Sequence, residues 1–227
     1  MVIFQKRPFH SIRAIIFDMD GTLIDSIDAY HAIMKDVMES LGMEFTTSRE
    51  VLFETLSQGQ KLSDIIFPPD LENRGRIVEQ FRVLAMNAFQ ETFSRGKVEL
   101  IDGVTHLFDE LKGRGFSLAV VTSSMTEVVV PFLEAKKLHS YLNCVLGRTE
   151  VPQLKPAPDP LVKCMEILNV EPREAIYVGD SAIDIQAGKA AGVWTVGVLT
   201  GTSDLNRLKS EAPDAILYSV GDLLSIL

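Results

Sequence analysis

The stretch IIFDMDGTL, Ile15 to Leu23, runs from an apolar segment into two aspartates, Asp18 and Asp20, with only Met19 between them. Ile15, Ile16 and Phe17 read as a buried strand, and Gly21 with Thr22 as the turn that leaves it. Side chains alternate along a strand, so residues two apart lean to the same side. Two carboxylates held together repel unless a metal ion or a shared proton compensates. Taken alone, the stretch can also be read as a plain turn at Asp20-Gly21 with Asp18 as its cap.

Outward from this strand, residues 25–43 set Tyr30, Ile33, Met34, Val37, Met38 and Leu41 on one helical face, and Gly42 stands where a helix ends. From about Glu44 to Lys97 the pattern stays helical, with a break at FPPD, residues 67–70. Near Leu100 the character changes. Val104, Leu107, Phe108 and Leu111 space an amphipathic helix, and FSLAVVT (116–122) follows as a buried strand. The alternation continues with a helix near 125–136, the strand NCVLG (143–147) and a helix near 158–168. Next come the strand AIYVGD (175–180), a helix through 187–191, the strand VWTVGVL (193–199) and AILYS (215–219) before a short terminal helix. Such alternation predicts a parallel sheet covered on both faces. The expected architecture is a doubly wound α/β core, residues 1–23 and 100–227, split after its first strand by an all-helical insertion, residues 24–99.

The 227 residues suit one large domain, or a core with one sizeable insertion. Acids outnumber bases 31 to 22, which argues against non-specific nucleic-acid binding but not against a phosphorylated substrate met by local cations. Cys144 and Cys164 offer no disulfide framework or zinc spacing and read as buried thiols of a reducing compartment. His10, His31, His106 and His139 lie in no metal-like spacing, and Trp194 reads as core. No signal peptide and no apolar run of about 18 residues is seen, so no membrane association and a cytoplasmic protein are expected. No feature of the sequence sets an oligomeric state.

In open α/β sheets, ligands bind outside the carboxyl ends of the strands. The polar residues there are Asp18 and Asp20, then Thr122 and Ser123, then Lys155 in the loop LKPAPDP (154–160). Asp180 follows, with Asp184 one helical turn further on. Each alone has a bland reading as cap, turn or surface charge. Together they supply what phosphoryl transfer through a covalent intermediate needs. A carboxylate can attack phosphorus, and a second can move the proton of the leaving oxygen. A hard divalent cation on oxygen ligands would offset the repulsion between phosphate and carboxylate. A lysine and a hydroxyl can hold the phosphoryl oxygens.

These four segments, DMDGTLIDS, VVTSS, KPAPDP and GDSAID, resemble in order the four motifs of the haloacid dehalogenase (HAD) superfamily. The helical insertion looks like the small cap of its phosphoglycolate phosphatase and β-phosphoglucomutase group. The resemblance implies Asp18 as nucleophile and Asp20 as general acid/base. It implies Thr122, with the Ser123 backbone, on the phosphoryl group, and Lys155 on both nucleophile and phosphoryl. Backbone N–H groups around Met19 and Asp20 would complete the phosphate cradle. Asp18, Asp180 and the main-chain carbonyl of Asp20 would ligate Mg²⁺, with Asp184 orienting that shell.

Asp20 favours phosphate esters over carbon–halogen bonds, because dehalogenases need no proton donor there. The mutases' cap loop typically carries an arginine after a Gly-x-Ser element, whereas LSQGQKLSD (56–64) has Gln60 and Lys61. That departure favours hydrolysis over mutase chemistry and makes Gln60 and Lys61 candidates for gripping the substrate beyond its phosphate. The tail from Gly197 is like that of phosphoglycolate phosphatases and related pyrophosphate- and nucleotide-cleaving enzymes. A small phosphorylated metabolite is the expected substrate, 2-phosphoglycolate first. A phospho-accepting signalling module is disfavoured, since such modules are short and carry the acidic pair and the acceptor on different strands.

Overall fold

The computed structural model describes residues 2–5, 9–49, 51, 52, 55 and 62–227. Its elements in chain order are β1 (Val2–Gln5), β2 (Ala14–Phe17), β3 (Ile24–Asp25), α1 (Ile27–Ser40), α2 (Leu62–Ile66), α3 (Arg74–Ser94) and β4 (Glu99–Leu100). Then follow α4 (Val104–Gly113), β5 (Ser117–Val121), α5 (Thr126–Ala135), β6 (Cys144–Leu146) and α6 (Asp159–Leu168). The chain closes with β7 (Ala175–Gly179), α7 (Ala182–Ala191), β8 (Trp194–Val198), α8 (Leu205–Ser210), β9 (Ala215–Leu217) and a 3₁₀ turn, Val220–Ser225.

The main sheet has the order β1-β9-β8-β7-β2-β5-β6. Strand β2 lies between β5 and β7, parallel to both, and the chain winds outward from it in two directions. That makes β2 the switch point of the sheet, where a crevice opens beyond the strand ends. All four residues of β2 are buried, because helices cover both faces. Ile15 and Phe17 pack with Val104, Leu107 and Phe108 of α4, while Ala14 and Ile16 face Leu161, Cys164 and Met165 of α6. Each such buried Ile or Phe contributes about 1.5–3 kcal/mol by leaving water.

The sheet departs from the all-parallel expectation at one edge, where β1 pairs antiparallel with β9. The segment before β2 thus blunts an exposed strand edge. Helix α8 was not anticipated, and the expected terminal helix is a 3₁₀ turn.

Between β3 and β4 the described residues form the helices α1, α2 and α3 and no strand. Ile33, Met34, Val37 and Met38 of α1 meet Phe81 and Ala85 of α3, with Phe67 closing the cluster edge-on to Phe81. Arg74 ties α3 to α2 through Asp64 (2.8 Å) and the Ser63 carbonyl (3.1 Å). The entry and exit of this segment pair as a short ribbon, Ile24 opposite Leu100 and Asp25 opposite Glu99. Cys144 and Cys164 are buried free thiols, and Trp194 is buried with its indole N–H on the Arg173 carbonyl. No described helix is long and apolar enough to cross a membrane.

Candidate active site

Beyond the carboxyl ends of β2, β5 and β7, the chain gathers Asp18, Asp20, Thr122, Lys155, Asp180 and Asp184, residues up to 166 positions apart in sequence. Asp18 immediately follows β2, its N–H donating to the Val178 carbonyl of β7 at 2.8 Å. Thr122 immediately follows β5, anchored by its N–H on the Leu146 carbonyl of β6 at 2.9 Å. Asp180 immediately follows β7, and Asp184 lies in the first turn of α7.

Lys155 is the electrostatic hub. Its ammonium donates to Asp18 Oδ1 (2.6 Å), Asp184 Oδ1 (2.6 Å) and Tyr177 Oη (3.0 Å), which accounts for all three of its protons. Burial works against its charge, but Asp18, Asp184 and Tyr177 outweigh it and hold Lys155 well above the usual lysine value. Asp18 is itself pushed well above the carboxylate range, first by burial and then by Asp184, Asp180 and Asp20, with Lys155 opposing. One ammonium does not offset the negative charge gathered here.

Asp184 has both oxygens engaged. Oδ1 accepts from Lys155 and from Tyr177 Oη (2.9 Å), and Oδ2 accepts from the Ser181 N–H (3.0 Å) and the Ser181 hydroxyl. The Ser181 contacts form a capping box that starts α7. Asp180 accepts from the Thr202 N–H (2.6 Å) and hydroxyl (2.9 Å) at Oδ2 and from Thr22 (3.4 Å) at Oδ1. Glycine is required around it: a Cβ on Gly201 would lie 2.0 Å from Asp180 Oδ2, and one on Gly21 2.8 Å. Burial and then Asp184 raise the Asp180 carboxyl to about 6, with Thr202 and Lys155 pulling back.

Asp18, Asp180 and Asp184 each offer one oxygen within 4.8 Å of the others, so this trio could hold a metal ion. An oxygen-only, net negative donor set fits a hard divalent cation. The Asp20 side chain stands apart from the trio: its Oδ1 accepts from Ser26 (2.7 Å) and its Oδ2 from Ser124 (2.8 Å). Burial raises its pKa while these two hydroxyls lower it. The Ser124 hydroxyl also meets the Tyr30 phenol of α1 at 3.1 Å, and the Ser124 N–H donates to Thr122 Oγ1 at 3.0 Å. With that lone pair used, the Thr122 proton is free to point elsewhere. Met19 is fully buried, its carbonyl accepting from Thr22, Leu23 and Ile24 and fixing the turn. Ser123 is half-buried beside Thr122. Gln60 and Lys61 lie outside the described residues.

The sequence reading missed Tyr177, Ser26, Ser124 and Thr202. Tyr177 sits inside an apolar strand and reads as core; the three hydroxyls read as caps or turns. The available signal was position, since each lies close to a motif aspartate or at the carboxyl end of a strand.

The profile of the haloacid dehalogenase-like hydrolases matches residues 15–198. Phosphoglycolate phosphatase of Escherichia coli (strain K12) is 31% identical over 241 residues, covering 96% of this chain and 94% of that protein. Pyrophosphatase PpaX of Anoxybacillus flavithermus is 32% identical over 219 residues, covering 96% and 97%. Among solved structures, a predicted phosphoglycolate phosphatase from Haemophilus somnus 129PT superposes with a TM-score of 0.81 at 24% identity over 96% of this chain and 98% of that one. That last likeness speaks for the fold alone. The four motifs, the sheet that carries them and the sequence relatives agree: this chain belongs to the haloacid dehalogenase-like hydrolase family.

Proposed function

We propose that the protein is a Mg²⁺-dependent phosphatase of a small phosphorylated metabolite, acting through an aspartyl-phosphate on Asp18, with 2-phosphoglycolate as leading substrate. The observation that carries this reading is the convergence of Asp18, Lys155, Asp180 and Asp184 at one crevice. Residues 1–23 and 100–227 would form the catalytic core and residues 24–99 the cap; the β3–β4 ribbon at that junction supports the division.

Lys155 holds Asp18 Oδ1, and among the described residues no donor engages Oδ2, so that oxygen is free to attack phosphorus. Thr122 donates its hydroxyl to a phosphoryl oxygen, and Lys155 stabilises the charge that develops there. Asp20, positioned by Ser26 and Ser124, gives its proton to the leaving oxygen and later takes one from the water that attacks the phosphoenzyme. Mg²⁺, when bound by Asp18, Asp180 and the Asp20 carbonyl, would neutralise the phosphate and the carboxylates together. Asp184, which accepts from four protein donors including the Lys155 ammonium, suits the orienting role better than that of a ligand.

The relationship to pyrophosphatase PpaX makes pyrophosphate the second substrate to test. Steady-state turnover of a phosphate-ester panel with and without Mg²⁺ tests the reading. Poor rank for 2-phosphoglycolate would refute that substrate. Acid-quenched phosphoenzyme should form in the wild type and not in Asp18→Asn, and turnover persisting in that variant would refute the nucleophile.

A further inference from the structure

The loop after β6, residues 147–150, is built against the part of the site that holds Asp20. Gly147 admits no side chain there: a Cβ would lie 2.4 Å from Thr126 Oγ1 and 2.7 Å from the Ser124 carbonyl. The next residue, Arg148, donates its N–H to that same carbonyl at 3.0 Å. Ser124 in turn holds Asp20 Oδ2 and meets Tyr30. The loop is tied from within by Glu150, whose carboxylate accepts from Thr126 Oγ1 (2.6 Å), the Gly147 N–H (2.9 Å) and Thr149 Oγ1 (3.1 Å).

The acid nearest in sequence to Arg148 is therefore engaged elsewhere, and among the described residues no carboxylate forms an ion pair with its guanidinium. Arg148 is exposed, and its backbone is fastened to Ser124, the residue whose hydroxyl joins Asp20 and Tyr30. Asp20 is the group proposed to protonate the leaving oxygen, so this rim is the one the leaving group faces.

The charge balance gives this placement a purpose. Three carboxylates (Asp18, Asp180 and Asp184) face one ammonium, and a divalent cation would only balance them, leaving nothing over for an anionic substrate. A leaving group with a negative charge of its own would be repelled unless a cation met it. Guanidinium matches carboxylate and phosphate with paired donors, and among the described residues Arg148 has no acid to give up in doing so.

We propose that Arg148 is a specificity-determining residue that binds a second anionic group, carboxylate or phosphoryl, on the leaving-group side of the substrate. The inference rests on the phosphatase reading above and adds the substrate class: phosphate esters or anhydrides whose leaving group is itself an anion.

The test is steady-state kinetics with Mg²⁺ on wild type, Arg148→Gln and Arg148→Lys. The substrates are 2-phosphoglycolate, pyrophosphate and p-nitrophenyl phosphate, whose leaving group bears no separate anionic substituent. The readout is the ratio of kcat/KM for each anionic-tail substrate to that for the neutral-tail ester. Arg148→Gln should lower this ratio at least about tenfold, mainly through KM, with Arg148→Lys intermediate. A fall for 2-phosphoglycolate alone identifies a carboxylate as the bound group, and a fall for pyrophosphate alone a phosphoryl. An unchanged ratio, including an equal loss on all three substrates, overturns the role of Arg148 and leaves the phosphatase reading standing. Wild-type enzyme inert toward all three would overturn both.

Discussion

Asp180→Asn should remove a pH-dependent stability penalty that the metal-free protein carries. Asp180 is 2% exposed, and burial together with Asp184 raises its carboxyl from 3.8 to about 6 despite Thr202 and Lys155. In the unfolded chain the carboxyl returns to its ordinary value. Between about pH 4 and pH 6 the folded protein therefore keeps a proton that the unfolded chain has lost, and stability falls as pH rises through this window. The penalty is absent below the unfolded value and complete above the folded one. At about 1.4 kcal/mol per tenfold change in proton affinity, it reaches roughly 3 kcal/mol. The asparagine amide of the variant does not titrate. Urea unfolding of both proteins in chelator across this range should show the variant gaining on the wild type by about that amount as pH rises. Saturating Mg²⁺ should reverse the comparison near neutral pH, since a bound cation rewards the ionised carboxylate. A stability difference independent of pH, or one moving the other way, would refute the desolvation argument; Mg²⁺ without effect on the wild type would refute the metal assignment.

Two further substitutions probe the neighbours of the motif residues. Tyr177→Phe leaves one Lys155 proton and one lone pair of Asp184 without their partner, so it should cost about 1–3 kcal/mol of stability. It should also lower kcat more than it raises KM, because Lys155 is held less firmly; thermal melting and steady-state kinetics read the two effects. Ser124→Ala removes a donor that favours ionised Asp20, so the Asp20 pKa should rise further. The alkaline limb of the pH–kcat profile should then move to higher pH, and a limb that stays in place would assign it to another group.

The sheet was legible because a strand covered on both faces is an almost unbroken apolar run, as in β2 (Ala14–Phe17), β5 from Leu118 onward and β7 (Ala175–Gly179). Strand ends then pointed to the crevice. What escaped notice depends on partners distant in sequence. Strand β1 is short, and its pairing with β9 spans almost the whole chain. The β3–β4 ribbon has two residues on each side, too few for any alternation to register. Tyr177 looks like core filler until the fold brings Lys155 and Asp184 to its hydroxyl. Motif residues announce themselves by type and spacing; the groups that hold them in register are ordinary serines, threonines and glycines.

Asp184 secures the first turn of α7 with one oxygen and the Lys155 ammonium with the other. Helix initiation and charge organisation thus share a single side chain, and the crevice cannot be wired correctly while that turn is frayed. Alanine at this position would unfasten both at once, whereas asparagine could keep the turn and surrender the charge, so the contrast between the two substitutions separates scaffold from chemistry.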